Sequence, residues 1–231
     1  MKGKNKLKLY FHYCPAGFSN CYLLGSGSFP DENEAPDSRG TAAPREAIII
    51  DPGSMDSELL SIIEDNEYKL RGVFITHDHS HHVRGIRTIL RIYDTEVYAI
   101  NPVIREQRTV LIHDGETIRV GPFSVETISI PGHSADSAIY RVDRILFTGD
   151  TVSVGLTGSV ASSYAAVNQE TALRSKLLSL PGDYTVLPGH GPPTTLEAER
   201  RFNMDLNNLD RNKKATKSFN SMNIGLSDEI L

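Results

Sequence analysis

Short apolar runs alternate along the chain with longer stretches in which apolar residues recur every three or four positions. The short runs predict β-strands, and the longer stretches predict amphipathic helices. The predicted strands cover residues 7–13, 21–25, 47–51, 70–76, 96–100, 123–130, 138–142, 145–148 and 184–187. The predicted helices cover residues 54–66, 82–93, 168–180 and 196–209, and Ser54 is the expected N-cap of the first. This mixture predicts a layered α/β or α+β domain.

Two segments lack the pattern of a folded core. Residues 29–46 are rich in Pro, Asp, Glu, Ser and Gly, which predicts a long polar surface loop inserted between two strands. Residues 210–231 are polar with scattered apolar positions, which predicts a C-terminal tail. We therefore expect one domain over residues 1–209, followed by that tail.

Composition narrows the class of protein. Hydrophobic residues make up 39% and charged residues 23%, as in ordinary globular proteins, and no apolar run approaches the ~20 residues of a membrane span. The basic N-terminus lacks the apolar stretch of a signal peptide, so we expect a cytoplasmic protein. A net charge of −5 disfavours general nucleic-acid binding. Cys14 and Cys21 form no CxxC motif and are expected to be small buried hydrophobes.

Five predicted strands run directly into a histidine or an aspartate. The residues at these strand ends are Asp51, His77, His133, Asp150 and His190. Binding groups collect at strand ends in layered proteins, and six of the eight histidines lie in or beside these positions. Only His12 and His113 lie elsewhere, and both are expected to be structural or exposed. Imidazoles that converge with carboxylates predict a metal site, for which Zn²⁺ is the expected ion and Fe²⁺ or Mn²⁺ the alternatives.

The segment Thr76-His77-Asp78-His79-Ser80-His81-His82 concentrates this chemistry. His77 and His79 are two residues apart, so on an extended backbone they project to the same side. His82 falls at the predicted start of a helix, where the helix dipole is expected to lower its pKa and keep it neutral for a metal.

The pattern resembles the metallo-β-lactamase superfamily, whose hallmark is T-H-x-H-x-D-H followed by three isolated ligands, and it covers residues 51–190. The resemblance implies a four-layer αββα sandwich with mixed sheets and with the site at one edge between the sheets. It implies that the first metal is held by His77, His79 and His133 and the second by His82 and His190, with Asp150 bridging both. It also implies that Asp51 orients the metal loop without ligating.

One position departs from the hallmark, because His81 stands where the family has an aspartate ligand of the second metal. If His81 ligates instead, the site keeps about one more positive charge than its relatives and favours small anionic substrates. If His81 does not ligate, the second site is weak or empty. Asp150, His81 and Asp51 are the residues expected to contribute to catalysis.

The resemblance implies a hydrolase in which metal-bound hydroxide attacks a carbonyl. Residues 187–195 and 199–203 are similar to the end of short glyoxalase II-like proteins, the hydroxyacylglutathione hydrolases, which favours a thioester or a related small ester or lactone. Two features depart from that group. Residues 152–158 lack its Gly-Arg pair, and only about forty residues follow His190, where full-length members add a helical domain.

Two alternatives belong to other functional classes. One is an oxidoreductase similar to persulfide dioxygenases, which hold a single iron with two histidines and an aspartate. The other is a non-catalytic metal-binding member of the fold, which would follow if His81 disables the site. The sequence leaves the oligomeric state open.

Overall fold

The structure is a computed structural model that describes residues 6–27 and 44–207. The strands are β1 (Lys6–Cys14), β2 (Ser19–Gly27), β3 (Glu46–Ile50), β4 (Lys69–Phe74), β5 (Val97–Ala99), β6 (Val103–Ile104), β7 (Gln107–Arg108), β8 (Val110–Leu111), β9 (Thr117–Val120), β10 (Phe123–Ser129), β11 (Ala138–Val142), β12 (Ile145–Gly149), β13 (Val152–Ser153), β14 (Leu156–Thr157), β15 (Thr185–Pro188) and β16 (Thr194–Thr195). The helices are α1 (Ser57–Asp65), α2 (Ser80–Val83), α3 (Ile86–Ile92), α4 (Ser163–Ala172) and α5 (Leu196–Phe202). All nine predicted strands are present, with ends shifted by at most two residues.

Two six-stranded mixed sheets form the centre of the fold. The first has the order β1-β2-β3-β4-β5-β8, in which β3, β4, β5 and β8 run parallel and β1 and β2 are antiparallel neighbours. The second has the order β16-β15-β12-β11-β10-β9, in which only the β12–β15 pair is parallel. Parallel neighbours need crossover connections, and α1 supplies the one between β3 and β4.

Strand side chains alternate between the two faces of a sheet, and both faces of each sheet carry buried residues. One face of the first sheet packs Leu23 and Ile49 against Leu59 of α1 and Ile89 of α3. Its other face packs Ile48 and Phe74 against the second sheet, which contributes Phe123, Tyr140 and Phe147. The far face of the second sheet packs Leu146 and Val186 against Leu173, Leu177 and Leu196. The order helices, sheet, sheet, helices is the expected four-layer αββα sandwich.

The C-terminal ends of the strands place the predicted site residues. Asp51 directly follows β3, Asp150 directly follows β12, and His77 and His190 follow the ends of β4 and β15 after two further residues at most. Two hydrogen bonds join the sheets beside them, from Ala138 N to Thr76 O (2.9 Å) and from the Tyr140 hydroxyl to Ile75 O (2.6 Å). The strand ends therefore meet at one edge between the sheets.

The start of the first helix differs from its prediction. Asp56, not Ser54, is the N-cap of α1, and its carboxylate accepts a hydrogen bond from Leu59 N (3.1 Å). Ser54 Oγ instead donates to Asp56 Oδ2 at 2.9 Å. The predicted Ser54 cap was wrong, because the chain stays extended for two more residues.

The predicted helix over residues 82–93 was also wrong, because the structure divides it into α2 and α3. Gly85 separates them, and its N–H donates to Pro52 O at 2.8 Å. A β-carbon at Gly85 would lie 2.7 Å from that same oxygen, so only glycine allows the two chain segments to approach this closely. His82 consequently lies inside the four-residue α2 and not at a helix start.

The remaining helices begin or end elsewhere than predicted. α4 begins at Ser163, five residues earlier than the predicted 168, because Ser162 caps it by accepting from Ala165 N (3.1 Å). Residues Leu173–Leu177 continue α4 as a π-helical turn. α5 begins at Leu196 as predicted, and Thr195 caps it. The strand β9 and the two-residue strands were not predicted.

Several predictions fall on other parts of the chain. Of the predicted loop 29–46, residues 29–43 lie outside the described residues, and Glu46 is the first residue of β3. The predicted tail 210–231 also lies outside them. Cys14 and Cys21 are fully buried free cysteines, as expected. Within the two described ranges, the structure contains no helix both long and apolar enough to cross a membrane.

Candidate metal centre

The carboxylate of Asp150 lies at the centre of a ring of imidazoles. The Nε2 atoms of five histidines each lie 3.3–3.7 Å from one of its two oxygens: His77, His81, His82, His133 and His190. A sixth, His79, presents its Nδ1 atom 2.9 Å from Nε2 of His77 and 3.1 Å from Nε2 of His133. The structure thus brings together all seven residues that the sequence predicts as metal ligands.

The donors form two groups, in each of which the donor atoms lie within 4.8 Å of one another. The first consists of His77, His79, His133 and Asp150. The second consists of His77, His81, His82 and Asp150. His81 therefore belongs to the second group by geometry, whereas His190 stands beside that group with its ring 4.9 Å from the His81 ring.

The outer nitrogens of these histidines fix which inner nitrogens are free to bind a cation. The Nδ1 atoms of His133 and His190 lie 2.9 and 2.8 Å from the carbonyl oxygens of Ser159 and Phe18. A carbonyl only accepts, so both Nδ1 atoms carry a proton, and in the neutral ring each Nε2 atom presents a lone pair to Asp150. A carboxylate faced by nitrogen lone pairs requires a cation between them, either a proton or a metal.

The same reasoning applies to His77. Thr76 Oγ1 donates its hydrogen to Asp51 Oδ2 (2.6 Å), so it can only accept from His77 Nδ1, which lies 3.0 Å away. His77 Nε2 is then also an unprotonated nitrogen aimed at the centre. Three such nitrogens beside one carboxylate are donors that suit a metal.

Asp51 contacts residues that carry or neighbour the donor atoms. Its carboxylate accepts from Thr76 N (2.8 Å) as well as from Thr76 Oγ1, and Oδ2 lies 3.3 Å from His82 Nδ1. Its backbone adopts φ +52°, a left-handed conformation that is uncommon outside glycine and that recurs at functional sites. Asp51 belongs to neither donor group, and its role of orienting the metal loop stays a prediction.

Residues from β2 that the sequence did not single out hold the loop that carries His190. Asn20 Nδ2 donates to the carbonyls of Pro188 (2.9 Å) and Gly191 (2.7 Å), and the Tyr22 hydroxyl donates to Pro188 O (2.7 Å). Ser19 Oγ donates to His81 O at 2.6 Å. These residues precede the Asp51 strand by about thirty positions, so neither motif nor spacing connects them to the site.

Burial and charge shift the pKa values of these histidines in opposite directions. Burial lowers the pKa of His77 to about 3, and it lowers that of His79 and His81 as well. For His82 burial acts in the same direction, but the carboxylates of Asp51 and Asp150 outweigh it and raise the pKa to about 9. The predicted lowering by a helix N-terminus was wrong, because two carboxylates contact His82 and α2 is only one turn long.

The electrostatics of Asp150 and His190 are complementary. The hydrogen bond with Asp150 raises the pKa of His190. Burial raises the pKa of Asp150, but its contacts with His190 and His82 outweigh burial and hold that pKa well below the usual range. Asp150 is therefore a permanent anion at the centre.

The donor set fits a metal in geometry as well as in chemistry. Two ligands of one tetrahedral Zn²⁺, each ~2.0–2.1 Å from the ion, lie about 3.3 Å apart, which is within the observed range of 2.9–3.7 Å. Among the described residues, His81 Nε2, His82 Nε2 and Asp150 Oδ1 are buried without a hydrogen-bond partner. A β-carbon at Gly189 would collide with Asp150 Oδ1, so glycine is required where the chain passes the centre.

One side of the centre is open. The side chains of His77 and His82 are at most 1% exposed, whereas those of His81 and His190 are 29% and 37% exposed. The turn between β1 and β2 borders the opening, since Phe18 O contacts His190 and a β-carbon at Gly17 would overlap the His81 side chain. The centre is therefore accessible to solvent from the side of His81 and His190.

The two histidines outside the pattern are not near Asp150. His12 is buried and pairs with Asp56 (Nε2 to Oδ2, 3.0 Å), so it is structural. His113 is exposed at the end of β8. Both were expected to be structural or exposed.

Replacing Asp51 with asparagine is expected to weaken metal binding about 10–100-fold, the usual effect of losing the residue that orients a ligand. Asparagine tolerates the left-handed backbone but removes the charge beside His82 and one acceptor for Thr76. Competition with a chromophoric chelator measures the affinity. Asp143→Asn is the matched control, because exposed Asp143 has φ +51° and lies outside both donor groups. Equal affinities of the two variants would contradict the role of Asp51.

The two donor groups are expected to differ in their response to pH. Below pH 9 a second metal must displace a proton from His82, so its apparent affinity should fall about tenfold per pH unit between pH 8 and pH 6. His77 and His79 have lowered pKa values, so they impose no such competition on the first group. Metal titrations at pH 6, 7 and 8 test this, and equally steep pH dependence of both binding steps would contradict it.

Comparisons with known proteins agree with this geometry. A family model described as the metallo-beta-lactamase superfamily matches residues 42–190. The uncharacterized protein Rv2581c of Mycobacterium tuberculosis is 32% identical over 235 residues, covering 85% of this chain and 97% of that protein. A hydroxyacylglutathione hydrolase of Francisella tularensis is 33% identical over 147 residues, covering 62% of this chain and 58% of the hydrolase.

Solved structures share the fold. The BLEG-1 B3 metallo-beta-lactamase has a TM-score of 0.70 at 20% identity, covering 86% of this chain and 99% of that one. ETHE1 from Myxococcus xanthus has a TM-score of 0.67 at 25% identity, covering 85% and 83%. With the family model matching most of the chain and the histidines gathered around Asp150, the chain belongs to the metallo-β-lactamase superfamily, which includes metallo-hydrolases.

Proposed function

We propose that this protein is a metal-dependent hydrolase that acts on a thioester or a related small ester or lactone. The observation that carries the proposal is the convergence of five imidazole nitrogens on the Asp150 carboxylate, at 3.3–3.7 Å. Such a donor set suits Zn²⁺ first, and Fe²⁺ or Mn²⁺ as alternatives. His77, His79, His133 and Asp150 would hold the first ion, and His81 and His82 with Asp150 the second.

When bound, the metal activates a water molecule and stabilises the negative charge that develops on a carbonyl oxygen. The chain supplies the orientation. Asp51 and Thr76 fix the His77 ring, and the carbonyls of Ser159 and Phe18 fix those of His133 and His190. Because these hydrogen bonds orient the rings before any reaction, little reorganisation is needed during it.

The open side supports a small anionic substrate. His81 stands where the family pattern has an aspartate, and its lowered pKa keeps it neutral near pH 7. Asp150 is then the only carboxylate in the two donor groups, so a filled centre carries a larger positive charge than the family pattern gives. This charge favours a negatively charged substrate.

Two similarities support the thioester class. The hydroxyacylglutathione hydrolase of Francisella tularensis is a relative at 33% identity, although this chain spans only 58% of its length. The sequence after β15, Leu187-Pro188-Gly189-His190-Gly191-Pro192-Pro193, resembles the glyoxalase II-like group. In the structure this segment carries His190 to the edge of the centre and leads into α5.

The test combines elemental analysis of the purified protein with three hydrolysis assays. The substrates are an acyl-glutathione thioester, a lactone and a bis-aryl phosphodiester. Thioester or lactone turnover that disappears with a chelator and returns with Zn²⁺ is the expected result. Turnover of only the phosphodiester would overturn the substrate class.

Other outcomes would identify the alternatives. One iron per chain, no hydrolysis and thiol-dependent oxygen uptake would favour the persulfide dioxygenase-like reaction. Bound metal with neither activity would favour a non-catalytic member of the fold. Both outcomes would refute the proposed hydrolase.

A further inference from the structure

A depression of about 330 Å³ lies outside the donor groups, on the helical side of the first sheet. It is lined by Val83, Arg84, Arg87, Arg105 and Glu106. Its volume is at the lower end of the range for small-molecule sites. Three guanidinium groups and one carboxylate give it a formal charge of about +2, in a protein whose net charge is −5. Such a local excess of positive charge favours an anion.

The turn that carries Arg105 and Glu106 has an uncommon backbone. β6 and β7 form a hairpin in which Ile104 pairs with Gln107, so Arg105 and Glu106 are its two turn residues. Both are left-handed, with φ +47° and +65°. A two-residue turn of this kind is most easily formed by Asn-Gly, and larger residues there cost conformational energy. The hairpin adopts this conformation nevertheless, and Arg105 lines the depression.

The other two arginines are positioned by hydrogen bonds. Arg84 Nη1 donates to Ala16 O at 3.1 Å, which ties it to the turn between β1 and β2. Arg87 Nη2 donates to Glu106 Oε2 at 3.0 Å, which offsets one positive charge and connects α3 to the hairpin. Arg84 and Arg105 therefore account for the remaining charge of about +2. Guanidinium groups bind carboxylates and phosphates in a planar, bidentate manner.

The depression adjoins the metal centre through shared segments. Val83 and Arg84 directly follow His82 in the chain. The turn that accepts from Arg84 also supplies Phe18 O to His190 and lies against His81. The open side of the centre and the depression therefore border the same turn.

We propose that Arg84 and Arg105 form a binding subsite for a carboxylate or phosphate group of the substrate. The substrate would carry this group at the end opposite to the bond that is hydrolysed. The inference rests on the proposed hydrolase function and narrows its substrate class to anionic thioesters or esters. It assigns the binding of the anionic end of the substrate to Arg84, directly after α2, and to Arg105 in the β6–β7 hairpin.

Binding is measured first, without catalysis. Calorimetry of the metal-loaded protein uses S-methylglutathione, which carries two carboxylates, S-methyl-4′-phosphopantetheine, which carries a phosphate, and S-methyl-N-acetylcysteamine, which is neutral. Arg84→Gln and Arg105→Gln should each raise the Kd of an anionic ligand about tenfold, the usual effect of losing one charge-assisted hydrogen bond. The carboxylate and phosphate ligands show which anion the subsite prefers. The neutral ligand should be unaffected.

Arg91→Gln is the matched control, because exposed Arg91 on α3 does not line the depression and its replacement removes the same charge. An equal loss of binding in this variant would show a general effect of net charge and overturn the subsite. Unchanged binding in Arg84→Gln and Arg105→Gln would overturn it as well. Circular dichroism and metal content of each variant show whether the fold is retained, and Arg105→Lys separates loss of charge from loss of the bidentate fork.

Kinetics with S-acetyl derivatives of the same three thiols then test the arginine subsite separately from the hydrolase function. The subsite predicts a higher KM for the anionic thioesters in Arg84→Gln and Arg105→Gln, with kcat changed less than about threefold. Hydrolysis with equal preference for neutral and anionic thioesters would refute the subsite alone. Arginine-dependent anion binding without any hydrolysis would refute the hydrolase and leave the subsite standing.

Discussion

The His133→Ala variant is expected to hydrolyse thioesters at least about 10³-fold more slowly than the native protein, because the first donor group would lose one of its three imidazoles. His133 Nε2 lies 3.1 Å from His79 Nδ1 and 3.6 Å from Asp150 Oδ2. Among the described residues, the first donor group contains only His77, His79 and Asp150 besides His133, so the loss of His133 leaves that group with two imidazoles and one carboxylate.

The fold should tolerate this substitution. The His133 side chain is partly exposed, at 11%, and its Nδ1 contributes a single hydrogen bond to the loop before α4. Metal content by elemental analysis and initial rates at saturating substrate measure the two effects together. His113→Ala is the control, because His113 is exposed and belongs to neither donor group. Activity within about threefold of the native protein would refute the assignment of His133.

The sequence predicted the site better than it predicted the helices, for a physical reason. A strand end is marked locally by an apolar run followed by a polar residue, and strands that share a sheet bring such ends to one edge. Asp51, His77, Asp150 and His190 were therefore identified from their positions alone, and the structure gathers them. The structure also brings His81 into the second donor group, which leaves its ligation a prediction that metal titration must test.

Features that depend on contacts between distant segments were not predictable in this way. The break between α2 and α3 exists because Gly85 N–H reaches Pro52 O, more than thirty residues earlier. The raised pKa of His82 comes from Asp51 and Asp150, which no local pattern places beside it. The supports Asn20 and Tyr22 act through the loop of His190 from the other half of the chain. Each case is a tertiary contact that overrides a local preference.

The arginine subsite belongs to the same class of feature. Arg84 and Arg105 are separated by twenty-one positions and by one helix and two strands, so their proximity appears only in the fold. The left-handed turn at Arg105 and Glu106 carries none of the usual Asn or Gly residues. A hairpin turn was therefore not predicted there, although the structure places one beside the site.

The Asp150→Asn variant is expected to lose affinity for both metals by about 10³-fold or more and to lose hydrolysis with them. Asp150 is the one carboxylate common to the two donor groups, and five imidazole nitrogens lie within 3.7 Å of its oxygens. At an effective dielectric constant of about 20, two unit charges about 4 Å apart attract by roughly 4 kcal/mol, and a divalent ion doubles this value. Asparagine keeps the shape but leaves only neutral donors around the ions.

The same substitution should also lower the pKa of His190 in the metal-free protein. Without the anion, burial is the main remaining influence on His190, and its pKa should fall from its raised value, which NMR of the imidazole protons measures. Asp65→Asn, at the exposed end of α1, is the control for the substitution itself. If Asp150→Asn bound one metal with native affinity while the second was lost, Asp150 would serve only the second group, and the first would be a site of three histidines. The two donor groups share His77 and Asp150. That result would show that the first ion does not depend on the charge of the shared carboxylate, so the two groups would bind their ions independently.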